Sequence, residues 1–145
     1  MEPIRKITDE LSIAGQITVD QLPQLAQEGF RSVLNLRSPE EIGFLLNEQQ
    51  KVELAGLYYV NFPFKPEAVD DETATHILQQ INTLPKPTLV HCDNAVRSAA
   101  IALMHIATRQ GVSLEKAFKQ AKQLGLFEVL TQSDNYSSTA ASYGA

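Results

Sequence analysis

The segment His91-Cys92-Asp93-Asn94-Ala95-Val96-Arg97-Ser98 holds the residues of this chain whose types and spacing could support chemistry. A loop that ends at a helix N-terminus presents unpaired backbone N–H groups, and the helix dipole adds partial positive charge. A thiol in that setting ionises more readily than a free cysteine. The planar fork of Arg97 can bind two oxygens of a phosphate, and Ser98 can donate a hydrogen bond to the sulfur or the loop. The segment therefore predicts a nucleophile at Cys92 and a phosphate-binding loop formed by Asp93, Asn94, Ala95, Val96 and Arg97.

Strand and helix patterns alternate along the chain and place this loop between a strand and a helix. We predict strands over 11–13, 30–36, 57–62 and 88–92 from short apolar runs bounded by Gly or Pro. We predict helices that begin at the capping box of Thr18, at Ser38-Pro39 and after Asp70, followed by helices over 97–110 and 114–124. The helix that begins at Ser38 should run to about Ala55. The alternation predicts an α/β fold with a mainly parallel sheet flanked by helices, in which ligands bind beyond the carboxyl ends of the strands.

Composition favours one ordinary globular domain. The 145 residues are 43% hydrophobic and 20% charged, and we divide them into a domain over 1–130 and a polar tail over 131–145. The net charge of −5 argues against a nucleic-acid partner, and no apolar run is long enough for a membrane span. The single cysteine excludes an intramolecular disulfide, and no His, Asp or Glu set has metal-ligand spacing. We expect a cytoplasmic protein without a metal or another cofactor.

Several motifs make the sequence similar to a known group, the dual-specificity-type cysteine phosphatases, and within it to the bacterial β-lactamase-hydrolase-like phosphatases. The motifs are 11–18, the segment 29–37 with Glu40 and Glu41, 59–63, and His91-Cys92 with Arg97-Ser98. The resemblance covers about 130 residues. It implies a cysteine-phosphatase architecture, a phosphoenzyme on Cys92, phosphate binding by Arg97, release of the thiolate assisted by Ser98, and a loop-supporting role for His91. Similar domains also occur fused to NAD kinases, which points towards a nucleotide-linked role.

The chain departs from that pattern within the loop and at the general acid. Four residues separate Cys92 from Arg97 where most such phosphatases have five, and Ala95 stands where related bacterial proteins usually have Gly. Asp93 adds a negative charge that opposes a phosphate unless its side chain points away. Glu67, 25 residues before Cys92, is our predicted acid. Asp70 is a weaker alternative whose simpler interpretation is a helix cap.

Three functions stay open from the sequence. The first is a cysteine-dependent phosphatase acting on a phosphorylated small molecule, a nucleotide or a phosphoprotein. The second is a rhodanese-type sulfurtransferase, because those enzymes also use a loop with a short spacing between Cys and Arg. The third is a non-catalytic phosphate- or anion-binding module, favoured by Ala95, by Asp93 and by the uncertain acid. Outside the loop, we interpret His105 as a core histidine and pair Arg37 with Glu40 or Glu41.

Overall fold

A computed structural model describes residues 4–65 and 70–123 of the chain, and they form one sheet with helices packed against it. The described strands are β1 Arg5–Lys6, β2 Leu11–Ala14, β3 Ser32–Asn35, β4 Tyr58–Asn61 and β5 Thr88–His91. The described helices are α1 Leu22–Gln27, α2 Glu48–Leu54, α3 Asp71–Thr83, α4 Val96–Arg109 and α5 Leu114–Gln123. The whole of the predicted tail, 131–145, and residues 124–130 before it lie outside the described part.

The sheet has the strand order β1-β2-β5-β3-β4, with β5 at its centre. Three of its pairings are parallel: β2 with β5, β5 with β3, and β3 with β4. The predicted mainly parallel sheet is therefore confirmed. The two-residue strand β1 pairs antiparallel with β2 and was not predicted, because exposed Arg5 and Lys6 show no apolar alternation. Since the four parallel strands run together, their carboxyl ends share one edge, where the loop after β5 begins.

Each face of the sheet is buried under helices, because successive strand residues point to opposite faces. Leu34 and Val90 face one side with α3, α4 and α5, in a core that includes Ile101 of α4. Val33 and Leu89 face the other side with α1 and α2. Both cores consist of apolar, mainly aliphatic side chains that are almost fully buried. The strand that carries the reactive segment is therefore rigidly held from both faces.

The predicted helix from Ser38 to about Ala55 is wrong over its first half. Residues 39–47 form turns, and the helix α2 begins only at Glu48. The backbone N–H of Ser38 donates to Glu41 Oε2 at 2.8 Å, as a capping box would require, but the chain does not continue as a helix. Gly43 has φ +90°, and the guanidinium of Arg37 lies so close that a Cβ at Gly43 would be 3.4 Å from it. A tertiary contact of Arg37 thus replaces the local helix.

The other predicted helix termini agree with the structure. The expected capping box is present between Thr18 and Gln21, where the backbone N–H of Thr18 donates to Gln21 Oε1 at 2.8 Å. Asp70 caps α3 by accepting the N–H of Thr73 at 2.8 Å. Ser113 caps α5 by accepting the N–H of Lys116 at 3.1 Å. None of the helices within the described part has the length and apolar character that crossing a membrane requires.

Candidate active site

Cys92 follows the central strand β5, between the ends of β2 and β3. Its backbone N–H donates to Ala14 O at 3.2 Å, and the N–H of Gln16 donates to Asp93 O at 3.1 Å. These bonds continue the pairing of β5 with β2 beyond the ends of the two strands. The first two residues of the loop are therefore fixed by the sheet, and the remainder turns into α4.

The thiol of Cys92 lies in the interior beside Ser98. Cys92 and Ser98 are both fully buried. The Ser98 hydroxyl lies 3.3 Å from Cys92 Sγ, where it can donate to the sulfur, and 3.4 Å from Ala14 O. The predicted contact between Ser98 and the sulfur is present. With no exposed surface on Cys92, a substrate reaches the sulfur only if part of the surrounding loop moves.

Arg97, in the first turn of α4, points back over the loop and is held by two carboxylates. Its Nη1 and Nη2 donate to Glu41 Oε2 and Oε1, both at 2.8 Å. Nη2 also donates to Asp93 Oδ1 at 3.0 Å, and Nη1 to Phe64 O at 3.1 Å. Only 4% of the side chain is exposed. The predicted anion clamp therefore lies at the loop with its terminal nitrogens bound to internal acceptors.

Glu41 is ionised in this arrangement. Burial raises the pKa of Glu41, but hydrogen bonds from Arg97 and the Ser38 N–H, and the charge of Arg97, outweigh burial and bring it from 4.5 to about 2. Burial lowers the pKa of Arg97, whereas its bonds to Glu41 and the charge of Asp93 produce a net increase. Arg37 Nε donates to the same carboxylate at 3.0 Å. The predicted pairing of Arg37 is confirmed with Glu41.

The loop over 93–96, which the sequence predicts to bind phosphate, bonds to its own side chains. The N–H of Asn94 donates to Asp93 Oδ1 at 2.8 Å, and the N–H of Val96 donates to Asn94 Oδ1 at 3.1 Å. Ala95 has φ +73° and ψ −6°, a left-handed conformation that glycine adopts without steric cost and alanine does not. The Ala at this position is therefore tolerated by the loop at an energetic cost.

His91, directly before the cysteine, takes part in a largely buried polar network. His91 Nε2 lies 2.5 Å from Glu48 Oε2, and Nδ1 lies 3.4 Å from Cys92 O. The other oxygen of Glu48 accepts from Gln16 Nε2 at 3.1 Å, and Gln16 Oε1 accepts from Arg37 Nη1 at 2.7 Å. The network joins the ends of three strands to the start of α2. The loop-supporting role of His91 stays a prediction.

Sequence reasoning missed the roles of Glu41 at Arg97, of Glu48 and of Gln16. Glu41 and Arg97 are 56 positions apart in the chain, and Glu48 and His91 are 43 apart. No local pattern links residues at such separations. One signal for a buried role of Glu48 was available: it lies four residues before Val52, on the same face of the predicted helix.

The predicted general acids are not brought to the sulfur by any described contact. Glu67 lies outside the described residues. Asp70 is exposed at the N-terminal cap of α3, where the hydrogen bond from the Thr73 N–H lowers its pKa. A lowered pKa keeps Asp70 ionised at neutral pH and makes it a poor proton donor. Within 4–65 and 70–123, no three His, Cys, Asp or Glu side chains are grouped as a metal site.

The sheet with helices on both faces is the fold of solved structures described as phosphatases. Solved structures of that fold superpose on this chain. A DUF442 protein of Shewanella putrefaciens CN-32 does so with a TM-score of 0.72 and 21% identity over 89% of each chain. The protein named Tk-PTP, in its active form, gives 0.66 and 20% over 89% of this chain and 94% of its own.

The family follows from the sequence match. Residues 3–111 match the family described as "Beta-lactamase hydrolase-like protein, phosphatase-like domain", and the chain belongs to this family. A beta-lactamase hydrolase-like protein of Agrobacterium fabrum strain C58 is 28% identical over 102 residues, which are 68% of this chain and 24% of that protein. The chain thus spans about a quarter of the curated relatives it matches. The resemblance inferred from the motifs is confirmed, and the family supports a phosphatase.

Proposed function

We propose that this domain is a cysteine-dependent phosphatase that hydrolyses a phosphate monoester through a phosphoenzyme on Cys92. The observation that carries the proposal is the position of the Cys92 sulfur, at the end of the central strand and 3.3 Å from the Ser98 hydroxyl. Arg97 lies over the same loop. A nucleophile, a hydrogen-bond donor to it and a cation are the groups that transfer of a phosphoryl group to sulfur needs.

The reaction would proceed in two displacements. The Cys92 thiolate attacks phosphorus, the bond from phosphorus to the ester oxygen breaks, and the departing oxygen takes a proton from a general acid, for which Glu67 is our candidate. Water then attacks the phosphoenzyme, the S–P bond breaks, and the sulfur leaves as a thiolate stabilised by the Ser98 hydroxyl. Arg97 would bind two non-bridging oxygens in both steps, where negative charge is spread over the phosphoryl group.

The substrate would be a phosphorylated small molecule, a nucleotide or a phosphoprotein. The net charge of −5 disfavours a nucleic acid, which selects basic surfaces. We also propose a cytoplasmic location, because a single catalytic thiol requires reducing conditions to stay free. Neither a cofactor nor a metal is part of the proposed reaction.

Hydrolysis of an aryl phosphate by the reduced protein tests the proposal. We expect vanadate-sensitive turnover that disappears in Cys92→Ser and falls at least about a hundredfold in Arg97→Lys, since a lysine cannot bind two oxygens in parallel. Arg109→Lys is the matched control, because Arg109 is an exposed residue of the same helix, 3.7 Å from Glu10, and its variant should retain turnover. Absence of turnover in the reduced protein, or full turnover in Cys92→Ser, would reject a Cys92 phosphatase.

The four-residue spacing between Cys92 and Arg97 favours sulfurtransfer as a second candidate. In that reaction Cys92 would take the outer sulfur of thiosulfate as a persulfide, release sulfite, and pass the sulfur to cyanide as thiocyanate. Thiocyanate formation with a 32 Da mass increase on Cys92 would select this function over phosphate hydrolysis. Binding of phosphate without either reaction would select the non-catalytic module.

A further inference from the structure

The two terminal nitrogens of Arg97 already bind a carboxylate in the way that they would bind two oxygens of a phosphate. Its two terminal nitrogens donate in parallel to the two oxygens of Glu41, each at 2.8 Å. Paired N–H···O bonds of this kind are also how arginine binds two oxygens of a phosphate. The remaining bonds of these nitrogens go to Asp93 Oδ1 and Phe64 O. A phosphate cannot form the same pair of bonds while Glu41 keeps them.

The charges at the site lead to the same conclusion. Glu41 and Asp93 place two carboxylates within 3.0 Å of Arg97, and Arg37 bonds to Glu41 at 3.0 Å, so two positive charges already balance two negative ones. Glu41 is held ionised, with a pKa of about 2. A phosphate dianion that approached this arrangement would meet two carboxylates at short range, and each arginine is already paired with a carboxylate. Strong phosphate binding therefore requires at least one carboxylate to withdraw.

Glu41 has partners that would keep it bonded after it left Arg97. Arg37 Nε donates to it at 3.0 Å, and the Ser38 N–H donates at 2.8 Å. The segment 39–47 that carries Glu41 consists of turns, and Ile42 is 98% exposed. A small shift of this segment would release Arg97 without leaving a buried carboxylate unpaired, which is the usual large cost of breaking such a pair.

We infer that Glu41 is an internal competitor of phosphate: it occupies the Arg97 fork in the resting protein and must leave before a substrate phosphate binds. This inference rests on the proposed function and adds a regulated step to the same site. The apparent affinity for phosphate is then the affinity of the open form multiplied by the fraction of molecules in which Glu41 has left.

Binding of orthovanadate and inorganic phosphate to the full chain tests the competition. We expect Glu41→Gln to bind both anions at least about tenfold more tightly than the wild type, because the variant removes the competing charge. Glu40→Gln is the matched control: Glu40 is the neighbouring carboxylate, 77% exposed and 3.9 Å from Lys65, and its variant should bind within about twofold of the wild type. Equal or weaker binding by Glu41→Gln would overturn the inference and make Glu41 a positioning residue for Arg97.

A second measurement needs no variant, in case Glu41→Gln folds poorly. A crystal structure of the wild type with orthovanadate should show the Glu41 carboxylate beyond hydrogen-bond distance of Arg97, still bonded to Arg37. A bound anion with the Glu41–Arg97 pair intact would reject the competition. Failure of the proposed function looks different: neither the wild type nor Glu41→Gln would bind an anion or hydrolyse an aryl phosphate, and the inference would fall with it. Wild-type turnover combined with unimproved binding in Glu41→Gln rejects the competition alone.

Discussion

Substitution of Glu48 tests whether the polar network around His91 stabilises the loop that follows Cys92. Its side chain is 1% exposed, and its two oxygens bond to His91 Nε2 at 2.5 Å and to Gln16 Nε2 at 3.1 Å. His91 is fully buried and precedes the cysteine directly. Removing the carboxylate leaves the buried His91 ring without this partner, whereas the half-buried Gln16 keeps its bond to Ile17 O at 2.8 Å.

The expected loss of stability follows from those two bonds. Breaking a buried pair by removing one partner typically costs about 3–5 kcal/mol, so we expect Glu48→Ala to lower the free energy of unfolding by about that amount. Glu48→Gln keeps an acceptor oxygen but loses the charge, and hydrogen bonds to charged groups contribute about 1.5–3 kcal/mol. We expect a loss of this smaller size for the amide. The alanine loss is a large fraction of the about 5–15 kcal/mol that a domain usually has.

Urea titration of the full chain, followed by circular dichroism, gives these free energies directly. Glu53→Gln is the matched control on the same helix, because Glu53 is exposed and only accepts from Gln49 at 3.3 Å. That variant should differ from the wild type by no more than about 0.5 kcal/mol. A Glu48→Ala loss below about 1 kcal/mol, or equal losses for Glu48→Gln and Glu53→Gln, would refute the view that this network supports the loop.

Three further predictions concern acid stability, backbone strain and the core. Because the pKa of Glu41 falls from 4.5 to about 2, its ionised form stabilises the fold above pH 4.5, and this contribution is lost as the pH falls towards 2. Urea titrations over that range should show a loss on the order of 2–3 kcal/mol that Glu41→Gln lacks, and parallel curves would contradict it. Ala95→Gly should raise the free energy of unfolding by about 0.5–1 kcal/mol, since Ala95 has φ +73°, and a destabilised variant would count against strain there. Ile101→Ala should lower the melting temperature through a loss of about 2–5 kcal/mol, and a loss no larger than that of Leu103→Ala, 39% exposed on the same helix, would contradict the assigned core.

Local patterns were sufficient for most of the secondary structure. The apolar runs that predicted strands correspond to β2, β3, β4 and β5, and the caps at Asp70 and Ser113 begin α3 and α5 as expected. Helix caps join residues that are close in the sequence, and burial follows the periodicity of a single helix or strand. Both can therefore be detected in one sequence. Strand β1 carries no such signal, because its two exposed residues are held by backbone bonds to β2.

The segment after Ser38 shows where local reasoning fails. A serine, a proline and a glutamate in the expected order favour a helix, but Glu41 is drawn into bonds with Arg37 and Arg97. Those bonds exist only because β3 and α4 place the two arginines on either side of it. The energy of two charge-assisted pairs exceeds the few tenths of a kcal/mol per residue by which helix propensities differ.

The amino-acid sequence by itself determined the α/β class, the position of the cysteine between the last strand and a buried helix, and the arginine and serine that follow it. These features depend on the periodicity of apolar residues and on short spacings between residues, both of which can be read from a single sequence. Only the tertiary structure decided that the sulfur is enclosed, that Glu48 holds His91, and that Glu41 occupies the arginine fork. Each of those contacts joins residues more than 40 positions apart or depends on burial. Local sequence patterns do not show which distant charged residues will come together.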